Sequence, residues 1–222
     1  MRVCVIGGAG GVGRRLTSLL SGSGDEVTVV HRRAEQAAVV EEAGGRSALF
    51  DLVEGPVEEL AGLLGGQDAV VFTAGAHGTG REQTTLIDGR GLEHAVDAAA
   101  RAGVRRFVVV SVFPEAGRDV ETNAGFEHYM RVKKAADVHL TESDLDWLVV
   151  RPGTLTDAPG TGKVRSGWAV PYGAVPRDDV AAFLAAALHE PRLHHVVVEL
   201  TEGGTPVEEA VHALVPRGTD NG

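Results

Sequence analysis

Two kinds of hydrophobic pattern alternate along the chain. Short, continuously apolar runs recur at "RVCVIG", "EVTVVH", "RSALFD", "DAVVFTAG", "RRFVVVSV", "DWLVVRPG" and "HHVVVEL". Between them lie Ala/Leu-rich stretches of helical character, such as "VGRRLTSLLSGSG", "GLEHAVDAAARAG" and "RDDVAAFLAAALHE". Runs apolar at every position suit strands covered on both faces, and their alternation with helices predicts right-handed βαβ units. The expected fold class is therefore α/β, a doubly wound parallel sheet between two helical layers. Glycines at 22, 24, 44, 45, 65, 66 and 103 fall shortly before the next strand, where helix C-caps belong. Neither a repeat nor a linker interrupts the pattern, so a single domain is expected over 1–222, with a frayed tail from about 216 to 222.

Composition narrows the function. At 222 residues and 43% hydrophobic content the chain can bury one good core. A formal net charge of −10 argues against nucleic acid or an anionic membrane surface as the main partner and leaves a small-molecule substrate. The lone cysteine, Cys4, lies inside the first apolar run; it excludes an internal disulfide and reads as a small buried hydrophobe in a reducing compartment. No segment reaches the roughly 18 apolar residues of a membrane span. The Gly-rich start is too short for a signal peptide, so a cytoplasmic location is expected.

The stretch "VCVIGGAGGVGRRL" places five glycines between the first strand and the first helix. Glycine there lets the chain turn sharply and lets a pyrophosphate approach the helix N-terminus, where free N–H groups and the dipole favour an anion. Two registers compete, Gly8-Gly10-Gly13 and Gly7-Gly10-Gly13. The longer one is preferred because Gly7 directly follows Ile6, the last strand residue. Gly7, Gly10, Gly11, Val12 and Gly13 are thus the expected dinucleotide contacts. The second strand ends in His31, Arg32 and Arg33, where an NAD-binding domain usually carries a carboxylate. Guanidiniums suit a 2′-phosphate, so NADP(H) is preferred and NAD(H) is the alternative. Arg14 is a third candidate for that phosphate. Asp51 and Leu52 follow the third strand, where adenine contacts fall, and Thr73, Ala74 and Gly75 follow the fourth, where small residues let a dinucleotide cross.

On a helical wheel of residues 126–140, Phe126, Tyr129, Met130 and Leu140 share one arc with Lys133 in its middle. A lysine in an apolar stripe needs a partner. Asp137, four residues on, is one candidate. Tyr129, one turn back, is another: an ammonium beside it would lower the phenol pKa and let it exchange protons. No metal site is expected, because the nine histidines are scattered and His194 and His195 would face opposite sides of a strand. Neither a P-loop ending nor a nucleophile elbow is present.

Ser111 at the end of the fifth strand, followed by Tyr129-x-x-x-Lys133, resembles the Ser-Tyr-Lys set of the short-chain dehydrogenase/reductase superfamily. With the Gly motif, "VTVVHRR", "AGVRRFVVVSV", "RPGTLTDAPGTG" and "VPRDDVAAFLAAAL", the chain is similar over nearly its whole length to the small atypical members, relatives of the extended enzymes and of flavin or biliverdin reductases. The resemblance implies a Rossmann sheet with a small substrate-binding portion after the sixth strand. It casts Tyr129 as proton donor or acceptor, Lys133 as holder of the nicotinamide ribose, and Ser111 as a hydrogen-bond partner of the substrate oxygen. It sets Pro152 and Gly153 at the coenzyme and builds the substrate side from the loop after Arg151 together with "AGAHGTGRE", with Thr154, Leu155, Lys163, Trp168 and His77 as lining candidates. The 18 positions from Ser111 to Tyr129 exceed the spacing of ordinary short-chain reductases. The implied activity is NADP(H)-dependent oxidoreduction of a small carbonyl, alcohol or quinone-like substrate. A non-catalytic coenzyme sensor, or an epimerase- or dehydratase-like enzyme using bound coenzyme, is the alternative, in a monomer or dimer.

Overall fold

A computed structural model describes residues 1–76, 78–113 and 123–216. The first half runs β1 (Arg2–Ile6), α1 (Gly11–Gly22), β2 (Glu26–His31), α2 (Ala37–Glu42), β3 (Arg46–Leu49), α3 (Val57–Leu64), β4 (Ala69–Phe72), a helical turn α4 (Arg81–Gln83) and α5 (Gly91–Ala102). The second half runs β5 (Arg106–Val110), α6 (Ala124–Thr141), β6 (Asp146–Pro152), β7 (Thr154–Thr156), β8 (Lys163–Gly167), β9 (Ala174–Pro176), α7 (Arg177–Leu188), β10 (Val196–Glu202), β11 (Thr205–Pro206) and α8 (Val207–Ala213).

The main sheet has the order β11-β8-β10-β6-β5-β4-β1-β2-β3. Seven neighbouring strands, β3 to β10, are parallel, while β8 and β11 close one edge antiparallel. A separate parallel pair, β7 with β9, lies beyond β6. This is a Rossmann-like sheet, and the chain leaves β1 in opposite directions toward β2 and β4. Such a switch opens a crevice at the carboxyl ends of those strands.

The continuous apolar runs are explained by the two cores. Val3 and Val5 face one helical layer with Leu16, Leu20, Phe183 and Leu184, while Cys4 and Ile6 face the other with Leu60, Leu92 and Leu140. The same split sends Val108 to the first core and Phe107 and Val109 to the second. Cys4 is fully buried, and burial pushes its thiol up to about 12, so it is an inert core residue. Among the described residues no helix is long and apolar enough to cross a membrane.

Three features depart from the sequence pattern. The helix expected from 126 begins at Ala124, capped by the Asn123 side chain, which accepts from the N–H groups of Gly125 and Phe126. A π-helical turn, Thr84–Arg90, leads into α5. Strand β10 starts only at Val196, so His194 and His195 precede it, and His195 adopts φ +54°.

Arg106, inside an apolar run, is buried at the start of β5. Its Nη1 donates to Leu193 O at 2.7 Å and its Nη2 to Ala187 O at 2.8 Å, tying the centre of the sheet to the end of α7. Truncation would leave both carbonyls without their charged donor. Arg106→Ala is expected to lower the unfolding free energy in urea by about 3 kcal/mol. A loss below about 0.5 kcal/mol, the scale of an ordinary surface substitution, would show the clamp to be dispensable.

Candidate active site

The Gly turn is shaped by the lack of side chains. Gly7 follows β1 with φ +81°, and a Cβ there would lie 2.6 Å from the backbone of Ala74. A Cβ on Gly13 would lie 2.5 Å from Gly8 Cα, so α1 packs directly on the turn. Gly7 O accepts from Gly10 N–H at 2.9 Å, and Gly10 caps α1 with extended backbone and no side-chain bond to the helix N-terminus. That end keeps its amide donors for an anion.

A groove of about 370 Å³ opens beside the turn. Gly7 and Gly10 line it together with His31, Arg32, Arg33, Asp51, Leu52, Thr73, Ala74 and Gly75. The structure thus gathers residues from the ends of β1 to β4 at the switch point. Their roles differ. The His31 ring is occupied by Arg33 O at 3.0 Å and Ser47 Oγ at 2.7 Å, which makes it a brace for the strand end rather than a free ligand. Arg33 pairs with Glu35 at 3.0 Å. Arg32 is exposed at the rim and has no ion pair among the described residues. Asp51 turns Oδ1 onto Val53 N–H at 2.8 Å, closing its own turn.

Other expected contacts fall outside this groove. Val12 is in the core beneath α1. Arg14 is exposed on a separate surface depression formed with Ser18, Leu19, Val39 and Gly160. Gly11 lies under Arg177, whose Cδ would be 2.9 Å from a Cβ there. Gly153 takes the chain past Gly173, whose carbonyl would collide with a Cβ, and its N–H donates to Leu200 O at 2.9 Å; buried Pro152 ends β6 just before it.

The three expected catalytic residues gather around the end of β5. Lys133 is 3% exposed; its Nζ donates to Val110 O at 3.0 Å and stands 3.9 Å from Asp88 Oδ1. Ser111, the next residue after Val110, is buried, with an Oγ lacking any hydrogen-bond partner among the described residues. Tyr129 sits in an apolar cluster with Val112, Phe113, Phe126, Met130 and Val170. Two expectations are corrected here. Asp137 does not serve Lys133: it binds Arg151, at 2.9 Å from Nη2 and 3.2 Å from Nε. Nor is the Tyr129 phenol lowered. Burial first, then the carboxylates of Asp88 and Asp137, push it well above the ordinary tyrosine range.

Asp88 escapes the sequence reading although it left a signal. It stands four residues before Leu92 and seven before Ala95, a carboxylate on the apolar face of its helix. The π-turn carries it inward, Oδ2 accepting Ala76 N–H at 3.0 Å. Of the substrate candidates, Thr154 Oγ1 lies 2.7 Å from Tyr172 Oη, and Tyr172 stacks edge-on against Phe113 at 5.4 Å, beside the Tyr129 cluster. Leu155 instead packs against the core on the α1 and α7 side, and Trp168 is 60% exposed. His77 lies outside the described residues.

A family model described as NAD(P)H-binding matches residues 7–191. The chain is 39% identical to an uncharacterized sugar epimerase, YhfK, of Bacillus subtilis, over 96% of this chain and all of that one. Among solved structures it is similar to a candidate NAD-dependent epimerase/dehydratase from Bacillus halodurans, with a TM-score of 0.88 and 32% identity over 96% of this chain and all of the other. It is also similar to the anaerobillin reductase ChuY of Escherichia coli O157:H7, at a TM-score of 0.77 and 26% identity over 91% and 97% of the two chains. The glycine cradle, the switch-point groove and these matches agree: the chain belongs to the NAD(P)H-binding Rossmann family of enzymes.

Proposed function

We propose that this protein is an NADP(H)-dependent reductase of a small carbonyl or quinone-like compound, with Tyr129 as proton donor. The observation that carries this reading is a half-buried phenol held in its protonated form in the cluster that follows β5, where the buried hydroxyl of Ser111 has no hydrogen-bond partner among the described residues. The residues of the groove fit a dinucleotide. The uncapped start of α1 can hold its pyrophosphate, the crossing at Thr73, Ala74 and Gly75 is lined by small residues, and Arg32 can take a 2′-phosphate. When bound, the coenzyme supplies a hydride to the substrate carbon. Ser111 donates to the substrate oxygen, and Tyr129 transfers its phenolic proton there as negative charge develops. Lys133 holds the local geometry through Val110 O. Phe113, Val170 and Tyr172 favour an apolar or aromatic substrate.

The protonation state fits the reductive direction. A phenol that holds its proton is in the form a proton donor needs, whereas the oxidation that begins an epimerase cycle needs the phenolate. Asp88 is part of the cause, so its removal lets the phenol ionise sooner. In NADPH-driven carbonyl reduction, Asp88→Asn is expected to move the alkaline limb of the pH–rate profile to lower pH, and Tyr129→Phe to reduce kcat about 10²–10⁴-fold. Unchanged turnover in Tyr129→Phe would sink the proton-donor role. An unmoved alkaline limb in a folded Asp88→Asn protein would remove the carboxylate from the account.

Coenzyme preference is tested separately by fluorescence titration. Arg32→Ala is expected to weaken NADPH binding about 10–100-fold, the worth of a charge-assisted hydrogen bond, and to leave NADH unchanged. Equal losses for both coenzymes would contradict a 2′-phosphate contact.

A further inference from the structure

At the end of the sheet opposite the coenzyme groove, the parallel strands β6 and β10 begin side by side, Leu148 opposite Val196. The residues just before or at these starts are Asp146, His194 and His195. One ligand-type atom from each lies within 4.8 Å of the other two. The φ of +54° at His195 brings the rings together, with centroids 4.7 Å apart, instead of on opposite faces of a strand.

We infer that Asp146, His194 and His195 form a binding site for a divalent transition-metal ion of the zinc class. Two imidazoles and one carboxylate are the donors such borderline ions take, and a three-residue set leaves a coordination position for water. His195 Nε2 lies 3.0 Å from Leu145 O, a group that only accepts, so this nitrogen carries the proton and Nδ1 keeps its lone pair for a metal. A backbone carbonyl holding the far side of the ring is the usual support for a ligating histidine. His194 brings a second indication: its Nδ1 is buried without a hydrogen-bond partner among the described residues. Ligands about 2.0–2.2 Å from zinc stand roughly 3.4 Å apart in a tetrahedron, so the observed spread closes by small side-chain rotations.

Arg105 is the opposing charge. It binds both oxygens of Asp146 at 3.1 Å and would compete with a cation there. The bound ion would staple the start of β6 to the start of β10, a stabilising role separate from the active site.

The test is calorimetric titration of zinc sulfate into the untagged full chain, with the melting temperature as a second readout. Expected are saturable binding of one ion per chain in the micromolar range and a zinc-dependent rise in Tm. His194→Ala and His195→Asn, the latter chosen because asparagine tolerates positive φ, should each weaken binding more than about tenfold. Arg105→Gln should tighten it. Absence of saturable binding, or equal affinity in both histidine variants, overturns the site. Should a variant fail to fold, the visible spectrum of cobalt bound to the wild-type protein decides. Intense bands of low-coordinate cobalt support the site, and the pale spectrum of the hydrated ion refutes it.

Discussion

A buried ammonium must be met by carbonyls and carboxylates, and the centre of this molecule is organised around that need at Lys133. Left unpaired at this depth, the charge would cost several kcal/mol. The carbonyl of Val110 is available because β5 ends there, one residue before Ser111. The carboxylate is available because a π-turn rotates Asp88 inward. Close approach of the two helices completes the arrangement: a Cβ on Gly89 would be 3.0 Å from Val132 Cγ1, next to Lys133. π-Turns inside helices recur at functional sites, and here one has a definite electrostatic task.

The same partners determine what Tyr129 can do. Spacing alone suggested that Lys133 would acidify the phenol. In the folded protein the ammonium already faces Asp88 and a carbonyl, and Asp137 belongs to Arg151. The phenol is then governed by its apolar surroundings of Phe126, Met130 and Val170 and by residual repulsion from two carboxylates. Such a tyrosine keeps its proton at neutral pH, the form that the proposed role of proton donor requires.

What was legible in the sequence follows from the range of the forces involved. Strand and helix positions, the Gly7 register and the groove walls at β1 to β4 depend on local patterns, and the structure gathers them at one switch point. Coverage on both faces could be read from runs such as "VCVI" because each successive residue enters a different core. Less legible were contacts made by side chains distant in sequence. His31 looked like a ligand until Ser47, sixteen residues on, engaged its ring. Leu155 looked like pocket lining until the core took it. His194 and His195 were assigned to opposite faces because nothing in "LHHVVVEL" announces where the ladder starts, and one residue of positive φ reversed the outcome.

Asp88 also links the two halves of the site. One oxygen accepts the N–H of Ala76, beside the coenzyme groove, while the other faces Lys133 below the active site. Gly75 is packed so closely that a Cβ would meet that second oxygen at 3.2 Å. The end of β4 and the middle of α6 are therefore fixed by one carboxylate, so the wall a dinucleotide crosses and the helix bearing Tyr129 cannot shift independently. Hydride transfer tolerates little misplacement between coenzyme and proton donor. On the proposed reading, one buried carboxylate that faces both segments couples the placement of coenzyme and proton donor.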